Sequence, residues 1–289
     1  MEINGKTRLL GLIGNPVEHT LSPLIHNTLA GKLDHNVVYV PFLVQDEIME
    51  AVKGAYALNI LGMNVTVPHK GNVIPYLREI DPLAEAIGAV NTLVRTEGGY
   101  RGYNTDMTGL LRAMQSEGIV MKDQDIILLG AGGAARAVAY LCVNEGAKKV
   151  YLLNRSFENA KLVAEEVNSH FGTDTIEAMA LTDYDKLPDQ RFLAIQGTSV
   201  GLSPNDEDVV IADEAFYQKI HTGFDLIYKP FETKFMRLVK AQGGKAYNGL
   251  KMLLYQGIIA YELWNDVKVS EETAMEIYQR MKEELGIHD

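Results

Sequence analysis

Cysteine is almost absent. Cys142 is the only one in 289 residues, so no internal disulfide can form and no cysteine cluster can hold a metal. Long apolar runs are missing too; nothing approaches the ~20 residues of a membrane-spanning helix. The first residues, Met1-Glu2-Ile3-Asn4-Gly5-Lys6, lack the apolar stretch of a secretion signal. Positive charge is scarce: 27 Lys and Arg against 38 Asp and Glu leave a net charge of −11. Such a chain lacks the broad basic footprint of nucleic-acid binding, though a small basic pocket for a phosphate is compatible with it. The seven histidines, His19, His26 and His69 among them, show no metal-ligand spacing, so no metal is assigned. From these absences we expect a cytoplasmic globular protein without nucleic-acid or membrane partners; monomer and homodimer both stay open.

What is present is a chain that is 47% hydrophobic. That is enough for one large core or two smaller ones, at about 100–200 residues per domain. Strand and helix signals alternate. Leu9–Ile13 reads as a buried strand stopped by Gly14-Asn15-Pro16, Leu24–Leu33 as a helix, Val37–Phe42 as a strand, Asp46–Leu58 as a helix and Leu61–Val67 as a strand. This βαβα order implies a parallel sheet with helical crossovers. A second alternation starts at Asp125, with a strand over Ile126–Leu129, a helix over Ala134–Glu145, a strand over Lys149–Leu153 and a helix over Phe157–Phe171. The fold expected is α/β: an N-terminal α/β substrate domain, residues 1–105 rejoined by C-terminal helices in 250–289, and a Rossmann-type dinucleotide-binding domain, residues 106–249. The active site is expected in the cleft between them, because α/β sheets bind ligands at the carboxyl ends of their strands.

Gly130-Ala131-Gly132-Gly133-Ala134-Ala135 fits G-x-G-x-x-A. The pattern is weak alone and specific here, because it follows an apolar strand and opens an Ala-rich helix. Gly130 permits the tight turn, Gly132 removes a Cβ that would meet a pyrophosphate, and Ala135 allows close helix–strand packing. The helix N-terminus offers free N–H groups to phosphate. The next strand ends at Asn154-Arg155-Ser156, with no carboxylate until Glu158. An NAD-binding unit usually places an acid there for the ribose hydroxyls. A guanidinium suits a 2′-phosphate, so the charge logic favours NADP.

Three polar clusters follow strands of the first half. Thr20-Leu21-Ser22-Pro23 places two hydroxyls two residues apart, able to hold a carboxylate, although Ser22 before Pro23 is also a helix-start signal. Asn64-Val65-Thr66-Val67-Pro68-His69-Lys70 puts Asn64 and Thr66 on one strand face with Lys70 just beyond; a surface lysine is the plainer reading. Asn104-Thr105-Asp106, preceded by Gly88-Ala89-Val90-Asn91-Thr92, offers a carboxylate that could equally cap the helix after it.

Together these segments resemble the shikimate dehydrogenase family along the whole chain, with Gly14-Asn15-Pro16-Val17, Asp225 and Tyr228, and Gly249 through Gln256 completing the set. The resemblance implies reversible NADPH-dependent reduction of 3-dehydroshikimate to shikimate, in aromatic amino-acid and chorismate biosynthesis. It implies Lys70 and Asp106 as the catalytic pair. Thr20, Ser22, Asn64, Thr66, Asn91, Tyr228 and Gln256 would bind substrate. Gly130, Ala131, Gly132, Gly133, Ala134, Asn154, Arg155, Ser156, Thr198, Leu226 and Gly249 would bind cofactor. It also implies that the apolar helix begun at Gly249 returns to the first domain. Three positions depart from the family pattern: Thr20 replaces a serine, Gln196-Gly197 stands where Asn and a small residue are usual, and Asn159 occupies a position that is basic in some NADP-using members. Two alternatives are a quinate/shikimate dehydrogenase using NAD and a non-catalytic dinucleotide-binding regulator, which would be expected to lack Lys70 or Asp106.

Overall fold

The computed structural model describes residues 3–287. The chain divides into two compact units. One runs up to Arg112 and resumes at Met252; the other is Ala113–Lys251.

The first unit carries β1 (Arg8–Gly14), α1 (Ser22–Lys32), β2 (Val37–Leu43), α2 (Ile48–Ala57), β3 (Gly62–Val65), the short α3 (His69–Asn72), β4 (Glu79–Ile80), α4 (Pro82–Ile87), β5 (Thr92–Thr96) and β6 (Gly99–Tyr103). Its sheet order is β2-β1-β3-β5-β6-β4. β1, β2 and β3 are parallel, as the alternation predicts. The rest corrects that prediction: β5 pairs antiparallel with both β3 and β6. For β5 and β6 the cause is the Glu97-Gly98 turn, with Gly98 at φ +81°; so short a link can join only antiparallel strands, whereas a parallel pair needs a crossover. Asn64, Thr92 and Tyr103 therefore share one row across three strands. The end of β3, the start of β5 and the end of β6 all lie at the same edge of the sheet.

Helix α5 (Thr105–Ser116) follows β6, and the division of the chain falls within it. The C-terminal helices α10 (Leu250–Asn265) and α11 (Glu271–Glu284) lie largely in the first unit. Trp264 of α10 donates its indole N–H to the Leu93 carbonyl at 2.8 Å. It sits so close over the sheet that a Cβ on Gly62 would lie 2.1 Å from the indole nitrogen. Ile13, Val52, Met63, Val65, Val90 and Tyr100 are among the residues of the core between sheet and α2.

The second unit carries β7 (Asp125–Leu129), α6 (Gly133–Asn144), β8 (Lys149–Asn154), α7 (Phe157–Phe171), β9 (Ile176–Ala180), β10 (Phe192–Gln196), α8 (Glu214–Gln218), β11 (Ile220–Asp225), α9 (Lys234–Ala241) and β12 (Lys245–Tyr247). All six strands are parallel, in the order β12-β11-β10-β7-β8-β9. This is the doubly wound dinucleotide-binding order, and the strand order reverses between β7 and β10. Both strands are nearly continuous apolar runs because helices cover both faces of such a sheet; β10 is buried at every position.

Candidate active site

In the first unit the strand ends gather the polar clusters. Lys70, on α3 just past β3, donates to Asp106 Oδ2 at 2.5 Å. Asp106 lies in the first turn of α5, just past β6. Their side chains stay 34% and 21% exposed, so both can reach a ligand. Asp106 is not the helix cap that its position allowed. Asn104 takes that role, its Oδ1 accepting from the Met107 N–H at 3.3 Å, which leaves the Asp106 carboxylate to Lys70.

Asn91 precedes β5, and its Oδ1 accepts from the Thr105 N–H at 2.7 Å. A backbone N–H can only donate, so the amide orientation is fixed and Nδ2 turns away from that bond. The Thr105 and Thr92 hydroxyls reach the same Oδ1 at 3.1 Å. Among the described residues no hydrogen bond from Nδ2 is seen. Gln256, on α10, is similarly fixed: Nε2 donates to the Leu253 carbonyl at 2.9 Å, leaving Oε1 as an acceptor. A Cβ on Gly109 would lie 2.6 Å from the Gln256 nitrogen. The backbones of α5 and α10 thus nearly touch one turn along from Asp106, on the same helix face.

Ser22 is the first residue of α1, yet its side chain does not cap the helix: Leu21 is the N-cap and makes no side-chain capping bond. The Ser22 hydroxyl instead accepts from Thr20 Oγ1 at 3.1 Å, and the Ser22 N–H donates to the same Thr20 oxygen at 3.2 Å. Thr66 is half-buried, its hydroxyl making no hydrogen bond among the described residues, and its methyl fills the space that a side chain at Gly14 would occupy. Asn64 differs from the rest. Oδ1 accepts from Tyr39 Oη at 2.8 Å and lies 3.2 Å from His26 Nε2, while Nδ2 donates to the Asn91 carbonyl at 3.3 Å and Thr92 Oγ1 at 3.1 Å. Each hydrogen-bonding position of its amide thus meets a protein group. Sequence reasoning passed over Tyr39, Thr92 and Thr105 as members of this network. The available signal was Tyr39 itself, a hydroxyl on the inward phase of a β-strand, which needs a partner when buried.

In the second unit, Gly130 follows β7 at φ +106°, and a Cβ there would lie 2.5 Å from the Thr198 methyl just past β10. The two residues face each other at the point where the strand order reverses. Ala135 packs on Gly197, whose added Cβ would be 3.0 Å away. Ala131 is half-buried, and Gly132, Gly133 and Ala134 are exposed. A Cβ on Gly132 or Gly133 would meet no protein atom within 4 Å. Protein packing therefore does not demand glycine at those two positions, whereas a close-lying pyrophosphate would. Gly132 is the N-cap of α6 with no side-chain capping bond, and no acid lies in the first turn. These residues fit a dinucleotide phosphate.

At the end of β8, Asn154 donates to the Ser156 carbonyl at 2.9 Å, and Ser156 caps α7 by accepting from the Asn159 N–H at 3.4 Å. Arg155 is exposed beside them. Lys161, the next cation, pairs with Glu165 at 3.8 Å. Gln196 ties the following loop: Oε1 accepts from the Thr198 N–H at 2.5 Å, and Nε2 donates to the Val200 carbonyl at 3.1 Å. The buried Asp225 accepts from Thr233 Oγ1 at 2.6 Å and the Ile227 N–H at 3.0 Å, and burial pushes its carboxyl up to about 6. Gly249 has no room for a side chain, since a Cβ would lie 2.1 Å from the Leu226 carbonyl oxygen. Tyr228 belongs to this second unit, unlike the other expected substrate residues; it is half-buried, and burial raises its phenol above the usual range.

The shikimate dehydrogenase substrate binding domain matches residues 12–93, and the shikimate/quinate 5-dehydrogenase family matches residues 112–199. A shikimate dehydrogenase (NADP(+)) of Desulforamulus reducens is 44% identical over 267 residues, covering 91% of each chain. The chain belongs to the shikimate dehydrogenase family. A shikimate dehydrogenase solved in complex with NADP+ aligns with a TM-score of 0.86 at 37% identity, over 97% of both chains. The shikimate 5-dehydrogenase of Listeria monocytogenes, solved with shikimate and NAD, aligns with a TM-score of 0.88 at 33% identity, over 96% of this chain and 98% of that one.

Proposed function

We propose that the protein catalyses the reversible reduction of 3-dehydroshikimate to shikimate with NADPH. The observation that carries this reading is the Lys70–Asp106 contact of 2.5 Å, at the end of the sheet where Asn91 also lies. Reducing a carbonyl requires a hydride on carbon and a proton on oxygen. Bound NADPH supplies the hydride. The Lys70 ammonium polarises the carbonyl and gives up the proton to its oxygen, and Asp106 holds the ammonium in place while accepting from a ring hydroxyl. Asn91 Nδ2 donates to a second ring oxygen, Gln256 Oε1 accepts from another, and Thr66 adds a hydroxyl. Thr20 and Ser22 grip the ring carboxylate. Tyr228 of the second unit is the remaining substrate residue in this reading.

The N–H groups opened by Gly130, Ala131, Gly132, Gly133 and Ala134 would hold the phosphates. Thr198, Leu226 and Gly249 line the nicotinamide end. Asn154, Arg155 and Ser156 receive the adenosine ribose, where a guanidinium with no carboxylate before Glu158 favours the 2′-phosphate. The same position disfavours an NAD-dependent quinate enzyme, and the presence of Lys70 with Asp106 disfavours a non-catalytic regulator. Residues 1–105 with 250–289 as the substrate domain, 106–249 as the cofactor domain, a cytoplasmic location and a monomeric or homodimeric state complete the proposal; cell fractionation and sedimentation test the last two. Initial rates on shikimate and on quinate, each with NADP+ and with NAD+, test the function. Shikimate with NADP+ should be the fastest pair. No turnover with any pair would sink the enzyme reading.

A further inference from the structure

Gln196 and Asp225 end the neighbouring parallel strands β10 and β11 and stand opposite each other in the ladder. Both are sealed from solvent, at 1% and 0% exposure. Buried polar groups need partners, and each of these has its full set. The Thr198 N–H can only donate, so Gln196 Oε1 must face it. Nε2 is then left for two acceptors, the Val200 carbonyl at 3.1 Å and Asp225 Oδ1 at 3.4 Å. Asp225 Oδ1 also takes the Ile227 N–H at 3.0 Å, while Oδ2 takes the Thr233 hydroxyl at 2.6 Å. The two side chains form one clasp between the loop after β10 and the turn after β11.

The sheet does not need this clasp, because the backbones of β10 and β11 already pair along their length. What it fixes lies beyond the strand ends. The Leu226 N–H donates to the Gln196 carbonyl at 3.0 Å, and the Gly249 N–H donates to the carbonyl of Ile227 at the same distance. The segments carrying Thr198, Leu226 and Gly249 therefore all meet at Gln196 and Asp225. We propose that Gln196 and Asp225 are positioning residues for the nicotinamide half of the cofactor. Buried as they are, they do not touch it; they set the loop and the turn that do. This rests on the reading that Thr198, Leu226 and Gly249 line the nicotinamide end. The adenosine half belongs to other segments, the glycine turn after β7 and Asn154-Arg155-Ser156 after β8. Among the described residues no hydrogen bond joins those segments to the side chain of Gln196 or Asp225. Loss of the clasp should therefore be felt by one half of the dinucleotide and not by the other.

The test uses the full chain, with calorimetric titration of NADP+ and of adenosine 2′,5′-bisphosphate, and steady-state kinetics of shikimate oxidation. Gln196→Met keeps the length of the side chain and removes its hydrogen bonds. It should raise the NADP+ Kd about 3- to 10-fold, the order of one neutral hydrogen bond. The kcat should fall about 3- to 30-fold, since a small displacement of the hydride-accepting ring is costly. The Kd for adenosine 2′,5′-bisphosphate and the KM for shikimate should stay within about twofold. Asp225→Leu should give the same split. Asp225→Asn keeps an oxygen for the Ile227 N–H and Gln196 Nε2, and should stay within about twofold of wild type throughout. Gln196→Asn keeps an amide but is one methylene short of the span from Thr198 to Asp225. It should give the split in weaker form, and it keeps the test open should Gln196→Met fold poorly. An unchanged NADP+ Kd and kcat in the variants of Gln196, or adenosine 2′,5′-bisphosphate weakened as much as NADP+, overturns the inference while leaving the activity intact. A wild type that binds NADP+ with this mutational pattern but does not oxidise shikimate sinks the proposed activity and leaves the inference standing. A wild type that does not bind NADP+ overturns both.

Discussion

Lys70 and Asp106 are 36 residues apart in the chain and 2.5 Å apart in space. Neither residue type is diagnostic alone, since lysines and acids mostly solvate surfaces. What separates this pair from a surface ion pair is its company: a buried amide at Asn91 whose oxygen is fixed by the Thr105 N–H, and a cap at Asn104 that frees Asp106 from its helix. Replacing Lys70 by Ala removes the proton donor. The kcat for shikimate oxidation should fall about 10²–10⁴-fold, the usual contribution of one acid–base group, and near-normal turnover in a stopped or continuous NADPH assay would refute the role. These candidate residues were legible in the sequence as types at strand ends. Their choice between structural and chemical duty was not, because a hydroxyl or carboxylate at a helix start has the same sequence signature whether it caps or binds.

The elements supply precision. Helices α5 and α10 cross with Gly109 against Gln256, and Arg112 clamps the crossing by donating to Glu262 at 3.2 Å and to the Val269 carbonyl at 3.3 Å. A methyl at Gly109 would meet the Gln256 backbone nitrogen, Cα and Cβ, none of which can swing aside, so Gly109→Ala must part the helices. The expected cost is about 1–3 kcal/mol of stability, together with a raised shikimate KM as Gln256 withdraws from the Asp106 side. Chemical denaturation and kinetics read the two effects, and a fully stable variant with unchanged KM would show that the crossing is looser than the backbone distances imply. The helices themselves were predictable from apolar spacing and glycine turns, and Phe157–Phe171 falls on the residues expected. In the β5–β6 hairpin the first strand and the glycine turn were predictable, but the second strand was not. Its second strand, Gly-Tyr-Arg-Gly-Tyr, has two glycines and a charge, and it gains its strand character from pairing with β5 and β4 rather than from its own propensity.

At the scale of the whole molecule, the two units should respond to acid in opposite directions. His26, in the first unit, has its value held at about 3 against an ordinary 6.5. Below pH 6.5 the unfolded chain takes up a proton that the native state refuses, so stability is lost as the pH falls from 6.5 toward 3. Asp225, in the second unit, stands at about 6 against an ordinary 3.8. Between those values the native state holds a proton that the unfolded chain has released, so this unit gains as the pH falls through 6 and loses as it rises. Two outcomes are expected in calorimetry. The melting temperature of Asp225→Asn relative to wild type should be highest near pH 8 and that difference should shrink by pH 4.5. His26→Phe should lose less stability than wild type between pH 7 and pH 5. A pH-independent offset in either variant would show that the buried group does not titrate as its burial requires.

The sequence by itself determined the class of the molecule and the chemistry it can hold. An apolar strand followed by Gly130-Ala131-Gly132 admits few structures other than a dinucleotide turn, because only glycine tolerates φ +106° with Thr198 at its flank. The charge at Arg155 and the polar clusters after each strand are equally local facts. The tertiary structure decided which polar groups are already paired with protein partners. Asn64 and Thr66 share a strand face and look alike in sequence, yet one has every hydrogen-bonding position filled by Tyr39, His26, Asn91 and Thr92 and the other has none. Donor and acceptor counts are settled only when strands distant in sequence are paired, and the pairing that settles them, an antiparallel β5 between β3 and β6, is a non-local contact that no short pattern in the chain encodes.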